Sequence, residues 1–386
     1  MSDEVYVLSA ARTQIGYFHG SLANRTAPQL GAHAIRAALE QSAAPDDSID
    51  EVIMGNVISA GLKQAPARQA MRMAGLPDAC GALTVNKVCG SGMKATMLAS
   101  DLIRAGSAQR IVCGGMESMT NAPYLLTRVR AGQRMGHGQM FDAMFTDGLE
   151  DAETGGSMGS FAQTTADAYQ LTREAMDDYA ITSLNRARAA MAAGHLRDEI
   201  APISDGELEV SDDEQPGRAK IEKIPTLRPA FKADGTITAA NSSSISDGAS
   251  ALVLASGAAL GEREPLARIV GHATYSRHPA EFTIAPVGAI GRLLERLGWT
   301  ADDVDLFEIN EAFAMVSMIA ISELKLDPER VNIYGGACAQ GHPIGSTGSR
   351  LIVTLAHAMQ RLNRKRGIAA LCIGGGEATA VALSRE

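Results

Sequence analysis

The chain has 386 residues, 46% hydrophobic, 20% charged and only 4% aromatic, with 39 glycines and a formal net charge of −9. That length exceeds one ordinary core and points to two or three domains or one large compound fold, and the aromatic poverty suits packed α/β layers better than a β-sandwich. The acidic balance argues against a general affinity for nucleic acid or an anionic membrane, leaving room for a local basic patch toward a phosphorylated ligand.

The opening residues, "MSDEVYVLSAARTQIGY", put an acidic pair where a signal peptide carries basic residues and run straight into a strand, so no export or organelle signal is expected. No apolar run reaches the ~18 residues of a membrane-spanning helix. "EVYVLSAAR" reads as extended, "APQLGAHAIRAALEQSA" has apolar residues at helical spacing, and "IDEVIMGNVI" is extended again, which is an α/β grammar. "ALTVNKV" is a further extended run; it ends at Cys89, ahead of a helix starting near Gly92 or Met93. Residues 120–242 are loop-rich and enclose one long helical stretch, "TREAMDDYAITSLNRARAAMAAG"; they read as an insertion carrying specificity elements.

The flanking parts resemble each other. "IDEVIMGN" parallels "VDLFEINE", "CGSGMKATMLASDLI" parallels "IGSTGSRLIVTLAHAM", and "RIVCGGMES" parallels "ALCIGGGEA". The pairs Asp50 and Asp305, Gly90 and Gly345, and Gly114 and Gly374 lie 255, 255 and 260 residues apart. Three ordered matches near one offset indicate a duplicated α/β half. We therefore expect an N-terminal half over 1–119 with 243–268, an inserted loop domain over 120–242, and a C-terminal half over 269–386. Such a pseudo-twofold would gather Cys89, the Gly345 turn, the Asn310 region and the Gly374 turn at one cleft, a common place for a ligand.

Five cysteines, Cys80, Cys89, Cys113, Cys338 and Cys372, form no CxxC pair, and no histidine cluster stands at metal-ligand spacing, so no metal is expected. An odd count without a signal favours reduced thiols in the cytosol. Cys89 is either a small core cysteine at a strand end or a nucleophile, since N–H groups at a helix start favour a thiolate and lower its pKa. His342, in "GGACAQGHPIGSTGSR", is either a hydrogen-bonded turn residue or a base for a thiol. Cys372, before three glycines, offers an acid–base thiol, and the glycine N–H groups an oxyanion site. In "EINEAFA", Asn310 can donate to a water or a carbonyl oxygen while Glu311 holds that geometry.

Taken in order, "NKVCGSGMKA", "NEAFA", "GGACAQGHPIGSTGSR" and "CIGGG" resemble the thiolase family, and the resemblance runs through "SAARTQIGYFHGSLA", "GGMESMTNAPY" and "GTITAANSSSISDGA" over essentially the whole chain. The resemblance implies two duplicated α/β halves in five α-β-α-β-α layers, with the loop domain binding coenzyme A, and a homo-oligomer, dimer or tetramer, in the cytoplasm. It implies that Cys89 takes the acyl group as a thioester, that His342 activates it, and that Cys372 removes an α-proton from the second acyl-CoA. Asn310 would hold a water that forms one oxyanion hole with His342; the N–H groups of Cys89 and Gly374 would form the other. The implied reaction is two acetyl-CoA to acetoacetyl-CoA plus CoA, with a broader 3-ketoacyl-CoA range as the alternative. Acyl-CoA is the expected substrate, and no permanently bound cofactor, nucleic acid or membrane partner is expected.

For coenzyme A, the resemblance implies Ser243, in "NSSSISDGA", near the pantetheine and Arg218, in "DEQPGRAK", near the adenine nucleotide. Two departures bear on specificity. Ser157, in "GGSMGSFAQT", stands where many members have histidine, with Met158 still lining the acyl pocket, and Gln340 replaces an aliphatic residue before Gly-His-Pro. A decarboxylating ketoacyl synthase would pair cysteine with two histidines, and a non-catalytic lipid carrier would not need Cys89, His342 and Cys372 together.

Overall fold

A computed structural model describes residues 4–205, 208–261 and 264–386. The first part alternates β1 (Val5–Arg12), β2 (Gly16–Tyr17), α1 (Ala27–Ser42), β3 (Glu51–Gly55), α2 (Pro66–Met73), β4 (Gly81–Val85), α3 (Ser91–Arg104) and β5 (Arg110–Ser118). The middle carries the short pair β6 (Tyr124–Leu125) and β7 (Phe141–Asp142), α4 (Met158–Ala168), α5 (Arg173–Ala192), the pair β8 (Ile203–Asp205) and β9 (Leu208–Val210), and α6 (Glu214–Arg218). The remainder is β10 (Ser246–Ser256), β11 (Ala267–Ser276), α7 (Ala285–Leu297), β12 (Leu306–Ile309), α8 (Ala314–Leu324), α9 (Ala337–Gln340), α10 (Ile344–Arg361), β13 (Arg366–Ile373) and β14 (Glu377–Ser384).

The main sheet runs β12-β13-β14-β11-β1-β10-β5-β3-β4, with β2 beside β10. Its two ends mirror each other. The pairs β3/β5 and β12/β13 are parallel, whereas β5/β10, β10/β1, β13/β14 and β14/β11 are antiparallel. The halves meet where β1 pairs β11 over only three residues, Val5, Tyr6 and Val7. The layers follow from alternation of side chains along strands buried on both faces. In β10, Leu252 and Leu254 face α3 and α10, whereas Ala251 and Val253 face α1 and α2. In β13, Leu371 and Ile373 turn to that same central helix pair, and Ile368 and Ala370 turn to α7 and α8. Two half-sheets with helices outside and between them give the five layers, stitched into one continuous sheet at β1–β11.

The repeat is visible in single hydrogen bonds. Asp50 Oδ2 accepts from the N–H groups of Gln109 and Arg110 at 2.6 and 3.0 Å; Asp305 Oδ2 accepts from those of Lys365 and Arg366 at 2.8 and 3.0 Å. This corrects one expected match. With Glu51 paired to Ile111 and Leu306 to Gly367, Gly114 corresponds to Ala370 and not to Gly374. Gly374 lies past the end of β13, in a turn where Gly375 and Gly376 both take φ of 89°.

Candidate active site

Cys89 sits between β4 and α3, in a turn stitched by its own neighbours. Asn86 Oδ1 accepts from Val88 N–H at 3.0 Å, while Ser91 Oγ accepts from Lys87 N–H at 2.8 Å and donates to Val88 O at 2.6 Å. Val88 has φ of 46°, an unusual conformation for a β-branched residue and the kind of strain that a surrounding structure holds in place at functional turns. The second half closes on this turn. A Cβ at Gly90 would collide with the Ile373 side chain, and Lys87 Nζ pairs with Glu377 Oε2 at 2.5 Å. Of the five cysteines, Cys89 alone is part exposed; Cys80, Cys113, Cys338 and Cys372 are buried.

The N–H groups of Cys89 and Gly374 are both directed at the Cys89 sulfur and favour its thiolate. The expected lowered pKa is nevertheless overturned. Burial outweighs those two bonds and pushes the Cys89 thiol up to about 11. Cys372 is raised well above the usual thiol range, first by burial and then by the neighbouring Cys89. Both sulfurs are therefore protonated at rest.

His342 is held by its backbone and by one ring nitrogen. Its N–H donates to Ser244 O at 3.1 Å, and Nδ1 lies 2.7 Å from Thr347 Oγ1. That hydroxyl spends its hydrogen on Pro343 O at 3.0 Å, so it accepts from Nδ1–H and leaves Nε2 as the basic nitrogen. Nε2 stands 3.5 Å from Asn310 Nδ2. Burial and then the Arg350 charge hold the imidazole down to about 3, so it is neutral and able to accept a proton. A neutral Cys89 thiol and a neutral His342 imidazole predict a specific titration. Alkylation of Cys89 by iodoacetamide should rise about tenfold per pH unit between about pH 6 and about pH 9, because only the thiolate fraction reacts. Adduct mass on the Cys89 peptide reads it, and a plateau below about pH 8 would reveal a preformed ion pair instead.

Glu311, next to Asn310 in the chain, is itself fixed in place: its carboxylate accepts from Ser183 Oγ at 2.7 Å, Asn332 Nδ2 at 2.9 Å, Cys338 N–H at 3.1 Å and Tyr179 OH at 3.3 Å. Two contributors escaped the sequence reading. Thr347 sits inside the quoted "GHPIGSTGSR" and was legible only as a helix-start hydroxyl. Glu117, in "GGMES", accepts from Asn56 Nδ2 at 2.8 Å and from the N–H groups of Gly345, Val57 and Ile58 at 3.0, 3.1 and 3.2 Å. It thereby ties the first half to the start of α10; burial pushes its carboxyl up to about 8.

The remaining expected residues fall in two places. Met158 faces the glycine turn, its sulfur 3.2 Å from where a Gly374 Cβ would stand, and Met158 packs on the buried cluster holding Cys372, Phe313 and Cys338. Ser157 caps α4, accepting from Ser160 N–H at 3.2 Å. Ser243 lies beside the Asn310 segment, its N–H and Oγ both donating to Ala312 O at 3.0 Å. Arg218 is elsewhere: its guanidinium stacks 4.6 Å from the Tyr17 ring centre and lines a cavity of ≈ 280 Å³ together with Lys220 and Lys223. Cys338 also lines that cavity and packs in the same buried cluster as Cys372. Among the described residues, no three metal-ligating side chains stand together, and no helix is long and apolar enough to cross a membrane.

Two α/β halves closing on a pair of sulfurs, an imidazole and a carboxamide define a thiol-centred α/β enzyme architecture. Residues 5–258 match the family model "Thiolase, N-terminal domain" and residues 263–385 match "Thiolase, C-terminal domain". The chain belongs to the thiolase family. It is 47% identical to the acetyl-CoA acetyltransferase of Pseudomonas aeruginosa over 99% of this chain and all of that protein, and 46% identical to that of Escherichia coli over 98% of each. Among solved structures it resembles the Acat5 thiolase of Ascaris suum in complex with coenzyme A, with a TM-score of 0.95 and 41% identity, covering 99% of this chain and all of that one.

Proposed function

We propose that the protein joins two acetyl-CoA molecules into acetoacetyl-CoA and CoA, reversibly, through an acetyl group carried on Cys89. The observation that carries this reading is the adjacency of the part-exposed Cys89 and the buried Cys372, together with a neutral His342 whose Nε2 faces Asn310. Cys89 gives its proton to His342 Nε2 as its sulfur attacks the acetyl carbonyl, and the N–H groups of Cys89 and Gly374 take the developing oxyanion. The tetrahedral adduct expels the CoA thiolate, which takes the Cys372 proton and departs as free CoA. The Cys372 thiolate then removes an α-proton from the second acetyl-CoA. Asn310 Oδ1 has no hydrogen-bond partner among the described residues and suits a water that stabilises the enolate with His342. The carbanion attacks acetyl-Cys89; collapse releases acetoacetyl-CoA, and the Cys89 sulfur recovers its proton from His342. Acetoacetyl-CoA cleavage by CoA, measured across a series from four-carbon to sixteen-carbon 3-ketoacyl-CoA, should be fastest with the four-carbon substrate. Equal or greater rates on long chains would favour the broader ketoacyl reading.

The Arg218, Lys220 and Lys223 rim supports a seat for the nucleotide phosphates of coenzyme A, with Ser243 nearer the pantetheine. Replacing both Arg218 and Lys223 by Ala should raise KM for CoA roughly tenfold with kcat within about twofold, since Cys89, His342 and Cys372 do not line that cavity. A fall in kcat at unchanged KM would remove them from that role. The residue 120–242 segment supplies this rim and serves as the coenzyme A-binding unit. A homo-oligomer, dimer or tetramer, in the cytoplasm fits the same reading. Edge strand β4 leaves Leu83 43% exposed, and the β6–β7 segment exposes Tyr124, Met135 and Met140.

A further inference from the structure

The turn that brings the Gly374 N–H to the Cys89 sulfur has little within it to fix its shape. Gly374, Gly375 and Gly376 follow one another, and the last two take φ of 89°, a region open to glycine at no steric cost. A Cβ placed at Gly375 would meet no atom within 4 Å, so the middle of the turn borders open space. The aim of the Gly374 N–H is therefore set from the ends of the turn. Its own half supplies part of that hold. Ile373 and Glu377 face each other across the β13–β14 pair, Arg277 N–H donates to Gly376 O at 2.7 Å, and Ser276 Oγ donates to Glu377 Oε1 at 3.3 Å. These contacts tie the turn to β13, β14 and the end of β11, and none of them reaches the Cys89 turn.

The other half supplies the rest. Lys87 Nζ reaches Glu377 Oε2 at 2.5 Å, joining residues 290 apart in the chain. Lys87 opens the turn that holds Cys89: its N–H donates to Ser91 Oγ at 2.8 Å, and its carbonyl accepts from Gly90 N–H at 3.0 Å. Glu377 stands three residues after Gly374. The ion pair thus joins the turn carrying the Cys89 N–H to the turn carrying the Gly374 N–H, with the Ile373 side chain lying against Gly90 beside it. Lys87 and Glu377 are 19% and 32% exposed, and pairs this open to water add little to stability. Stability alone is a poor reason for one here; its place between the two donors is a better one.

We propose that the Lys87–Glu377 pair is a latch between the two halves that positions the oxyanion donors: it holds the two turns together so that the Cys89 and Gly374 N–H groups converge on one point. Both side chains act through the backbone of their turns and are positioning residues. The inference rests on those N–H groups taking the oxyanion of the Cys89 adducts. Losing one oxyanion donor outright costs about 10² to 10³-fold in kcat, and a displaced donor costs less. Lys87→Met and Glu377→Met should therefore each lower kcat for acetoacetyl-CoA cleavage roughly tenfold, with KM for CoA within about twofold. Lys87→Glu combined with Glu377→Lys restores the attraction with its signs exchanged, and should bring kcat back to within about threefold of the parent. Thermal unfolding midpoints, measured on the same samples, should stay within a few degrees of the parent. A parent-like kcat in either methionine variant overturns the proposal, as does an exchanged pair that turns over no faster than those variants. A rise in KM for CoA at unchanged kcat makes Lys87 a substrate contact and overturns it too. Failure of a methionine variant to fold assigns the pair to stability and overturns it as well. Failure of the thiolase reading shows instead in the parent, as no cleavage of acetoacetyl-CoA, and this inference falls with it.

Discussion

Cys89→Ala should lose the acetyl mass increment after incubation with acetyl-CoA, and its turnover should fall on the order of 10⁴-fold or more. The effect is large because no other sulfur can substitute. Cys80, Cys113 and Cys338 are buried in apolar clusters, and Cys372 is buried at 1% exposure behind Cys89. The two N–H groups that would hold the oxyanion, from Cys89 and Gly374, stay in place when the sulfur is removed, so binding should survive while chemistry does not. Losing one small, part-exposed side chain costs about 1 kcal/mol or less, so a folded variant is expected. Ala variants of Cys80, Cys113 or Cys338 should keep the increment. Retention of the acetyl group by Cys89→Ala would remove Cys89 from the mechanism.

Cys372→Ser should separate the two half-reactions. Serine keeps the shape of the site but is far too weak an acid to supply a base by losing its proton, so α-proton removal should fall by about 10² to 10⁴-fold. On the proposed mechanism, acylation of Cys89 depends on His342 Nε2, whose orientation is set by Thr347 and not by Cys372, and the CoA thiolate, a good leaving group, can depart and take its proton from solvent when Cys372 does not give one. The variant should therefore acquire the acetyl increment and fail to form acetoacetyl-CoA. Mass measurement and product formation on the same sample read both. Unaltered condensation would exclude Cys372 as the base; loss of acylation as well would mean that its proton is needed for CoA to leave.

Much of this site was legible in the sequence because chemistry-bearing residues sit in short glycine-rich turns, and the duplicated halves state where those turns meet. The Asp50–Asp305 match was reliable because an aspartate at that place makes the same two backbone bonds in each half. The Gly114–Gly374 match slipped by four residues because glycines mark turns without recording register. The thiolate expectation for Cys89 failed because a helix start is a local feature, whereas its burial comes from packing on clusters that include Ile373 and Ile344 of the other half. Arg350 reads in "GSTGSR" as an ordinary helix cation. Only the topology, which puts α10 between two half-sheets, makes it a buried charge. Likewise Ser157 holds the place of a family histidine, but the structure gives its hydroxyl to the cap of α4.

The most direct test isolates the intermediate. The protein is incubated with acetyl-CoA, freed of small molecules, digested for mapping in one portion and chased with fresh acetyl-CoA in another. The account predicts an acetyl group on the peptide bearing Cys89, and its transfer in a single turnover to give acetoacetyl-CoA. An acetyl group on any other residue, or one on Cys89 that the second acetyl-CoA cannot take up, would contradict it.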